Sequence, residues 1–179
     1  MTAWYMTANK PTHTPATMLW IMDIIEDTTV DGPGLRTAIY AAGCSHACPG
    51  CHNPTSWNIH NGRPMKIEEI VRRILDDPFA DVTFSGGDPF YQVEGFTRLA
   101  QAIKTNSRKS IWCYTGYSFE QIMQWPQLAR LLPYIDVLVD GRFERELRDE
   151  SLRFRGSSNQ RLIDVPASLR QGKVIGWEA

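Results

Sequence analysis

The sequence has no excess of either charge, no long apolar run and few cysteines, and each shortage narrows what the chain can do. Nineteen Lys and Arg face twenty Asp and Glu, a formal net charge of −1. A chain this balanced lacks the electrostatic footprint of a nucleic-acid or anionic-membrane binder, so neither partner is expected. The longest apolar run, Met18 to Met22, stops at Asp23, whereas a bilayer span takes about 20 apolar residues. The start shows no basic stretch, apolar stretch and small-residue cleavage site in succession, so a cytoplasmic location is expected. Internal repeats and low-complexity tracts are also missing.

Only four cysteines are present. In a reducing compartment a disulfide framework is not expected. Cys44, Cys48 and Cys51 crowd into one loop while Cys113 stands far off, and clustered thiols of that kind suggest metal.

What remains is the composition of an ordinary folded domain. The 179 residues are 42% hydrophobic and 22% charged, enough for one domain with a sizeable core. Residues 1–17 read as a poorly ordered leader and 18–179 as the single domain. Leu19 to Ile25 is apolar and β-prone, and Asp31-Gly32-Pro33-Gly34 marks a turn. Thr37 to Ala42 reads as a buried strand. Ile67, Ile70, Val71, Ile74 and Leu75 fall on one face of a helix. Pro64 lies just ahead of it and Asp77-Pro78 ends it. A short strand covers Asp81 to Ser85. A second helix carries Val93, Phe96, Leu99, Ala100 and Ile103, and a strand follows from Ser110 to Tyr114. Ser118 and Gln121 form a capping box for the next helix, which Trp125-Pro126 breaks. Tyr134 to Val139, Leu162 to Val165 and Val174 to Trp177 read as further strands.

Strand and helix alternate at βα spacing, which predicts a parallel sheet with outer helices. A closed eight-stranded barrel takes about 250 residues. The expected fold is therefore α/β, an open partial (β/α) barrel.

Cys44-Ser-His-Ala-Cys48-Pro-Gly-Cys51 has the spacing CxxxCxxC. Following a buried strand, it belongs at the C-terminal edge of the sheet, where α/β folds place ligands. Three thiolates on one loop suit an iron–sulfur cluster. A zinc ion with a fourth ligand from Cys113, His46, His52 or His60 is the alternative, and spacing does not separate the two.

The loop resembles the cluster motif of the radical S-adenosylmethionine superfamily. Its neighbours resemble the glycyl-radical-enzyme activases: Asp31-Gly-Pro-Gly-Leu-Arg36, Cys51-His-Asn-Pro54 with Ser56-Trp57, and Ser85-Gly-Gly-Asp-Pro89. Tyr114-Thr-Gly-Tyr117, Asp136-Val-Leu-Val-Asp-Gly141 and Arg155-Gly-Ser-Ser-Asn-Gln160 resemble one branch, the activating proteins of anaerobic ribonucleoside-triphosphate reductase. The likeness spans about residues 20–165 and favours the cluster over zinc.

The resemblance implies a 4Fe–4S cluster on Cys44, Cys48 and Cys51 with one iron left open for S-adenosylmethionine. It implies reductive cleavage of that cofactor and hydrogen abstraction from a glycine of the reductase. A low-potential donor such as flavodoxin is the implied reductant. Gly86, Gly87 and Asp88 are expected at the methionine end, with Asp88 either accepting from the ammonium or merely capping a helix. The backbone of Gly50, Cys51 and His52 is expected to line the adenine, and Asn53 to bond within the loop. Asp140 is expected either to help hold the carboxylate end through a cation or water, or to serve its turn. Cys113 is expected as a buried hydrophobe and Arg36 as structural or near the site. The shortness of the chain predicts a lateral opening on the cysteine edge, with 142–160 beside it, through which a loop of the reductase enters. An activase of another glycyl radical enzyme, a sister radical enzyme, or a zinc or electron-transfer module are the alternatives.

Overall fold

The computed structural model describes residues 17–178. The expected leader lies outside these residues except for Thr17, whose carbonyl accepts from Ile67 N. Seven strands form one sheet: β1 (Met18–Thr28), β2 (Arg36–Ala41), β3 (Arg63–Lys66), β4 (Asp81–Gly86), β5 (Ile111–Tyr114), β6 (Val137–Asp140) and β7 (Arg161–Asp164). Their order is β3-β1-β2-β4-β5-β6-β7, an open sheet with β3 and β7 at its edges. The helices are α1 (Ile67–Asp76), α2 (Val93–Asn106), α3 (Phe119–Gln124), α4 (Pro126–Ala129) and α5 (Val165–Gln171).

The expectation of a parallel sheet holds for the centre and needs correction at both flanks. β2, β4, β5 and β6 run parallel, linked by crossovers that contain α1, α2 and the α3–α4 pair. β1 and β3 on one side, and β7 on the other, are antiparallel. β1 joins β2 through the Asp31–Gly34 turn, too short a link for a parallel crossover. Pro64 lies just ahead of α1 as expected, but within β3 rather than at the helix start, tolerated because an edge strand can spare one N–H. Val174 to Trp177 contributes one isolated bridge, Ile163 to Gly176, rather than a strand. The capping box is present, Ser118 Oγ accepting from Gln121 N while Gln121 Oε1 accepts from Ser118 N.

Strand side chains alternate between two faces. Ile39, Ala41, Val82, Phe84, Ile111, Cys113, Leu138 and Ile163 join the apolar faces of all five helices in one core cluster. Cys113 is thus a buried hydrophobe on the helix side, as expected. The other face carries Arg36, Tyr40, Thr83, Ser85, Trp112 and Tyr114. There Arg36 is fully buried, donating to Thr83 Oγ1 at 2.7 Å and Val82 O at 2.6 Å, with its guanidinium 5.5 Å from the Trp112 ring. Burial pulls its pKa below the ordinary arginine value, against the pull of Asp81. Arg36 is therefore a structural prop beneath the second face. No helix among the described residues is long and apolar enough to cross a membrane.

Candidate active site

The cysteine loop leaves the end of β2 and is gripped on both sides by backbone. Gly43 N donates to Ser56 O at 2.7 Å, and Cys44 N to Trp57 O at 3.1 Å. Gly87 N donates to Ala41 O at 2.8 Å, and Asp88 N to Gly43 O at 2.9 Å. These bonds dock the loop onto the turn that follows β4. Gly86 sits at φ +92°, and a Cβ there would stand 2.5 Å from Ala41 N, so only glycine lets the two chains meet.

The three thiols line one cavity of about 510 Å³. Its walls include Gly86, Gly87, His46, His52 and Asn53, and its floor Tyr40, Ser85 and Tyr114 of the second sheet face. Asn53 bonds within the loop through its main chain rather than its side chain: its backbone N–H points at Cys51 Sγ, 3.4 Å away, and its backbone carbonyl accepts from Ser56. Burial raises the Cys44 thiol to about 11, more than the N–H of His46 lowers it.

Among the described residues, no three His, Cys, Asp or Glu side chains converge tightly enough to hold a single metal ion. The three thiols line one cavity instead, and cysteine thiolate is the usual ligand of iron–sulfur clusters. Cys113 and His60, two candidate fourth ligands for zinc, are not among the lining residues. Cys113 is in the helix-side core and His60 packs against Trp20.

Asp88 is buried at 1% exposure, and four donors converge on its carboxylate. Oδ1 accepts from Phe90 N at 2.9 Å, capping the 3₁₀ turn Pro89–Gln92. Oδ2 pairs with His46 Nε2 at 2.6 Å and accepts from Thr115 Oγ1 at 2.9 Å and Gly116 N at 3.1 Å. The capping bond is thus present. The same carboxylate ties the cysteine loop, through His46, to the ends of β4 and β5. Gly86 and Gly87 line the cavity; Asp88 stands behind them.

Asp140 is equally enclosed. Its carboxylate accepts from Phe119 N at 2.8 Å and from Arg161 at 3.0 and 2.5 Å, and Arg161 also grips Glu120 through two nitrogens. The Arg161 guanidinium draws Glu120 down to about 2, and the two carboxylates hold Arg161 above its ordinary value. Of the Asp140-Gly141 pair, it is Gly141 that lines the cavity.

Segment 142–160 folds over the cysteine loop. Phe143 packs against His52 with ring centroids 5.3 Å apart and the rings tilted by 46°, and Arg145 lies over Gly50. Phe143, Leu152, Phe154, Arg155, Gly156 and Gln160 line the same cavity as the thiols. Sequence reasoning placed this segment beside the opening but gave its residues no separate roles. It also missed the floor residues Tyr40 and Tyr114, for which the alternation of β2 and β5 was the available signal. Asp31 belongs to the turn between β1 and β2. It lines the cavity and accepts from Tyr40 Oη at 2.9 Å and Thr28 Oγ1 at 3.0 Å.

An open α/β sheet with three clustered thiols at its C-terminal edge defines a single-cluster iron–sulfur class of protein. Residues 30–163 match the family model described as a 4Fe-4S single cluster domain. The anaerobic ribonucleoside-triphosphate reductase-activating protein of Enterobacteria phage T4 is 37% identical over 139 residues, covering 74% of this chain and 86% of the relative. The proteins of the same name from Escherichia coli (strain K12) and Vibrio cholerae serotype O1 (strain ATCC 39315 / El Tor Inaba N16961) are 37% and 38% identical, covering 73% of this chain and 89% and 88% of themselves. The chain belongs to the family of anaerobic ribonucleoside-triphosphate reductase-activating proteins.

Proposed function

We propose that this protein installs a glycyl radical on an anaerobic ribonucleoside-triphosphate reductase, using S-adenosylmethionine held against a 4Fe–4S cluster. The observation that carries this is the meeting of Cys44, Cys48 and Cys51 with the Gly86–Gly87 turn in one cavity at the C-terminal edge of the parallel strands. A cluster held there would supply the electron for breaking the carbon–sulfur bond of the sulfonium, with methionine leaving and the 5′-deoxyadenosyl fragment taking a hydrogen atom from the reductase glycine.

The chain's own residues supply placement and exclusion of water. Cys44, Cys48 and Cys51 would hold the cluster, and with three protein ligands it would keep a place for the cofactor. Gly86 and Gly87 offer backbone at the methionine end, with Asp88 fixing their turn and the His46 side chain behind the cysteines. Backbone at Cys51 and His52 borders the adenine, under cover of Phe143, while Gly50 lies beneath Arg145 outside the cavity lining. Asp140, held by Phe119 N and Arg161 outside the cavity lining, serves the turn before Gly141, and Gly141 itself is fixed by Tyr117 O and Gln160 Nε2. Tyr40, Ser85 and Tyr114 form the floor, with Phe154 beside them. A sheet left open as a partial barrel admits a loop of the reductase from the side. A low-potential carrier such as flavodoxin supplies the electron, and a cytoplasmic setting suits four free cysteines.

Anaerobic reconstitution followed by incubation with the reductase, S-adenosylmethionine and a reductant tests the proposal. Iron and sulfide of about four each per chain, then a glycyl-radical spin signal on the reductase, are expected. A cluster without that signal, or a signal only on another glycyl radical enzyme, overturns the assigned partner. Stoichiometric zinc without sulfide overturns the chemistry.

A further inference from the structure

We infer that Arg155 receives the carboxylate at the amino-acid end of the bound sulfonium nucleoside, an assignment that rests on reading the cavity as an S-adenosylmethionine site. Among the described residues lining the cavity, Arg155 alone carries a permanent positive charge, and Asp31 is the one carboxylate. Asp31 is already engaged by Tyr40 and Thr28. The Arg155 guanidinium is only half used. Its Nη1 donates to Gln160 O at 2.9 Å, while its Nε is buried without a partner. A buried donor left without an acceptor is costly in the free protein. A carboxylate entering the cavity satisfies it, and the planar fork of a guanidinium matches that group.

The chain around Arg155 is built to aim it. Phe154 sits at φ +61°, a conformation a bulky residue adopts only when its surroundings impose it. Its ring packs edge-on to Trp112, centroids 5.4 Å apart, and Arg153 lies over the same ring at 5.1 Å. On the other side, Gln160 Oε1 accepts from Gly156 N at 2.9 Å and Ser157 N at 3.2 Å, and its Nε2 donates to Gly141 O at 3.0 Å. Asn159 Nδ2 donates to Arg142 O at 2.8 Å. The Arg155-Gly-Ser-Ser-Asn-Gln160 run is therefore a knot that fixes the segment to the end of β6. Arg155 is the member of it that both lines the cavity and keeps an unpaired donor.

The test compares equilibrium binding of S-adenosylmethionine and of decarboxylated S-adenosylmethionine, which keeps the sulfonium and lacks the carboxylate. Both are titrated into reconstituted wild-type, Arg155→Ala and Arg155→Lys proteins, with iron content measured on each. Arg155→Ala is expected to lose about 10- to 100-fold in affinity for S-adenosylmethionine while binding the decarboxylated compound within about twofold of wild type. Arg155→Lys recovers part of the loss. Arg155→Gln, a long neutral side chain, replaces the alanine variant if that one fails to keep its iron. Equal losses for both ligands, or unchanged affinity for S-adenosylmethionine, overturn the assignment. So does normal binding with a reduced glycyl-radical yield, which gives the guanidinium to the reductase. If the wild type binds neither compound, the reading of the cavity has failed rather than the role of Arg155.

Discussion

Asp88→Ala is the most informative single change, because one buried carboxylate serves both the fold and the cysteine loop. The substitution strips the acceptor from Phe90 N, Gly116 N, Thr115 Oγ1 and His46 Nε2 at once. The two backbone N–H groups have no side chain to turn elsewhere, and each orphaned buried donor costs about 1–3 kcal/mol. Thr115 and His46 recover part of their loss by rotation. The sum is about 3–5 kcal/mol, a large share of the 5–15 kcal/mol by which domains are typically stable. With a urea slope of about 2 kcal/mol per M, the unfolding midpoint falls by about 1.5–2.5 M at unchanged slope. The damage reaches the site, because His46 is the side chain that ties the middle of the CxxxCxxC loop to β5. Iron retained after anaerobic reconstitution and gel filtration is expected to fall with the midpoint. Asp88→Asn keeps an acceptor for Phe90 N but turns an N–H₂ toward three donors, so it loses the loop bonds and spares the cap. It is expected to destabilise less than Asp88→Ala while losing a similar share of iron. A midpoint and iron content both at wild-type values in Asp88→Ala would refute the reasoning. Weakened binding of S-adenosylmethionine as the sole effect would mean that Asp88 contacts the ammonium directly.

Cys44→Ala, Cys48→Ala and Cys51→Ala are each expected to abolish the cluster's visible absorption, whereas Cys113→Ala keeps it; full absorption in Cys48→Ala would contradict the three-thiol site. Cys113→Ala instead costs about 1–2 kcal/mol in a denaturant melt, since it hollows a packed core. Gly87→Ala places a Cβ 2.5 Å from Gly43 O and 3.1 Å from Ser56 O, prising the turn from the cysteine loop. Iron content is expected to drop further in that variant than the helical circular dichroism does. Glu120, held at about 2 in the folded chain against 4.5 for the free group, stabilises the fold above pH 4.5. That contribution fades as pH falls from 4.5 toward 2. Because the pair is largely exposed, its size is about 0.2–1 kcal/mol. Acid titration of Glu120→Gln is expected to show a flatter loss of stability over that window, and an identical curve would dismiss the pair.

The local pattern of the sequence determined a good part of this protein. The i, i+3, i+4 spacing of Ile67, Ile70 and Ile74, the Ser118–Gln121 box and the Trp125-Pro126 break each depend on neighbours within a turn or two. So does the CxxxCxxC run behind a buried strand, because ligands on one loop need no distant partner to be recognised. Its resemblance to known activases was legible for the same reason. Tertiary structure decided what short-range pattern cannot encode. Pro64 is a strand residue only because β1 lies beside it at the sheet edge, and α5 carries too few residues for its period to show. The flanking strands run antiparallel because of where the chain could turn back, not because of anything in their composition. His46 and Asp88 are 42 residues apart, and Asp140 and Arg161 are 21 apart. A charged or polar residue in a loop looks solvated until the fold removes the water around it. Burial makes Asp88 the fastening of the cysteine loop as well as a cap, and it leaves Arg155 Nε without a protein partner.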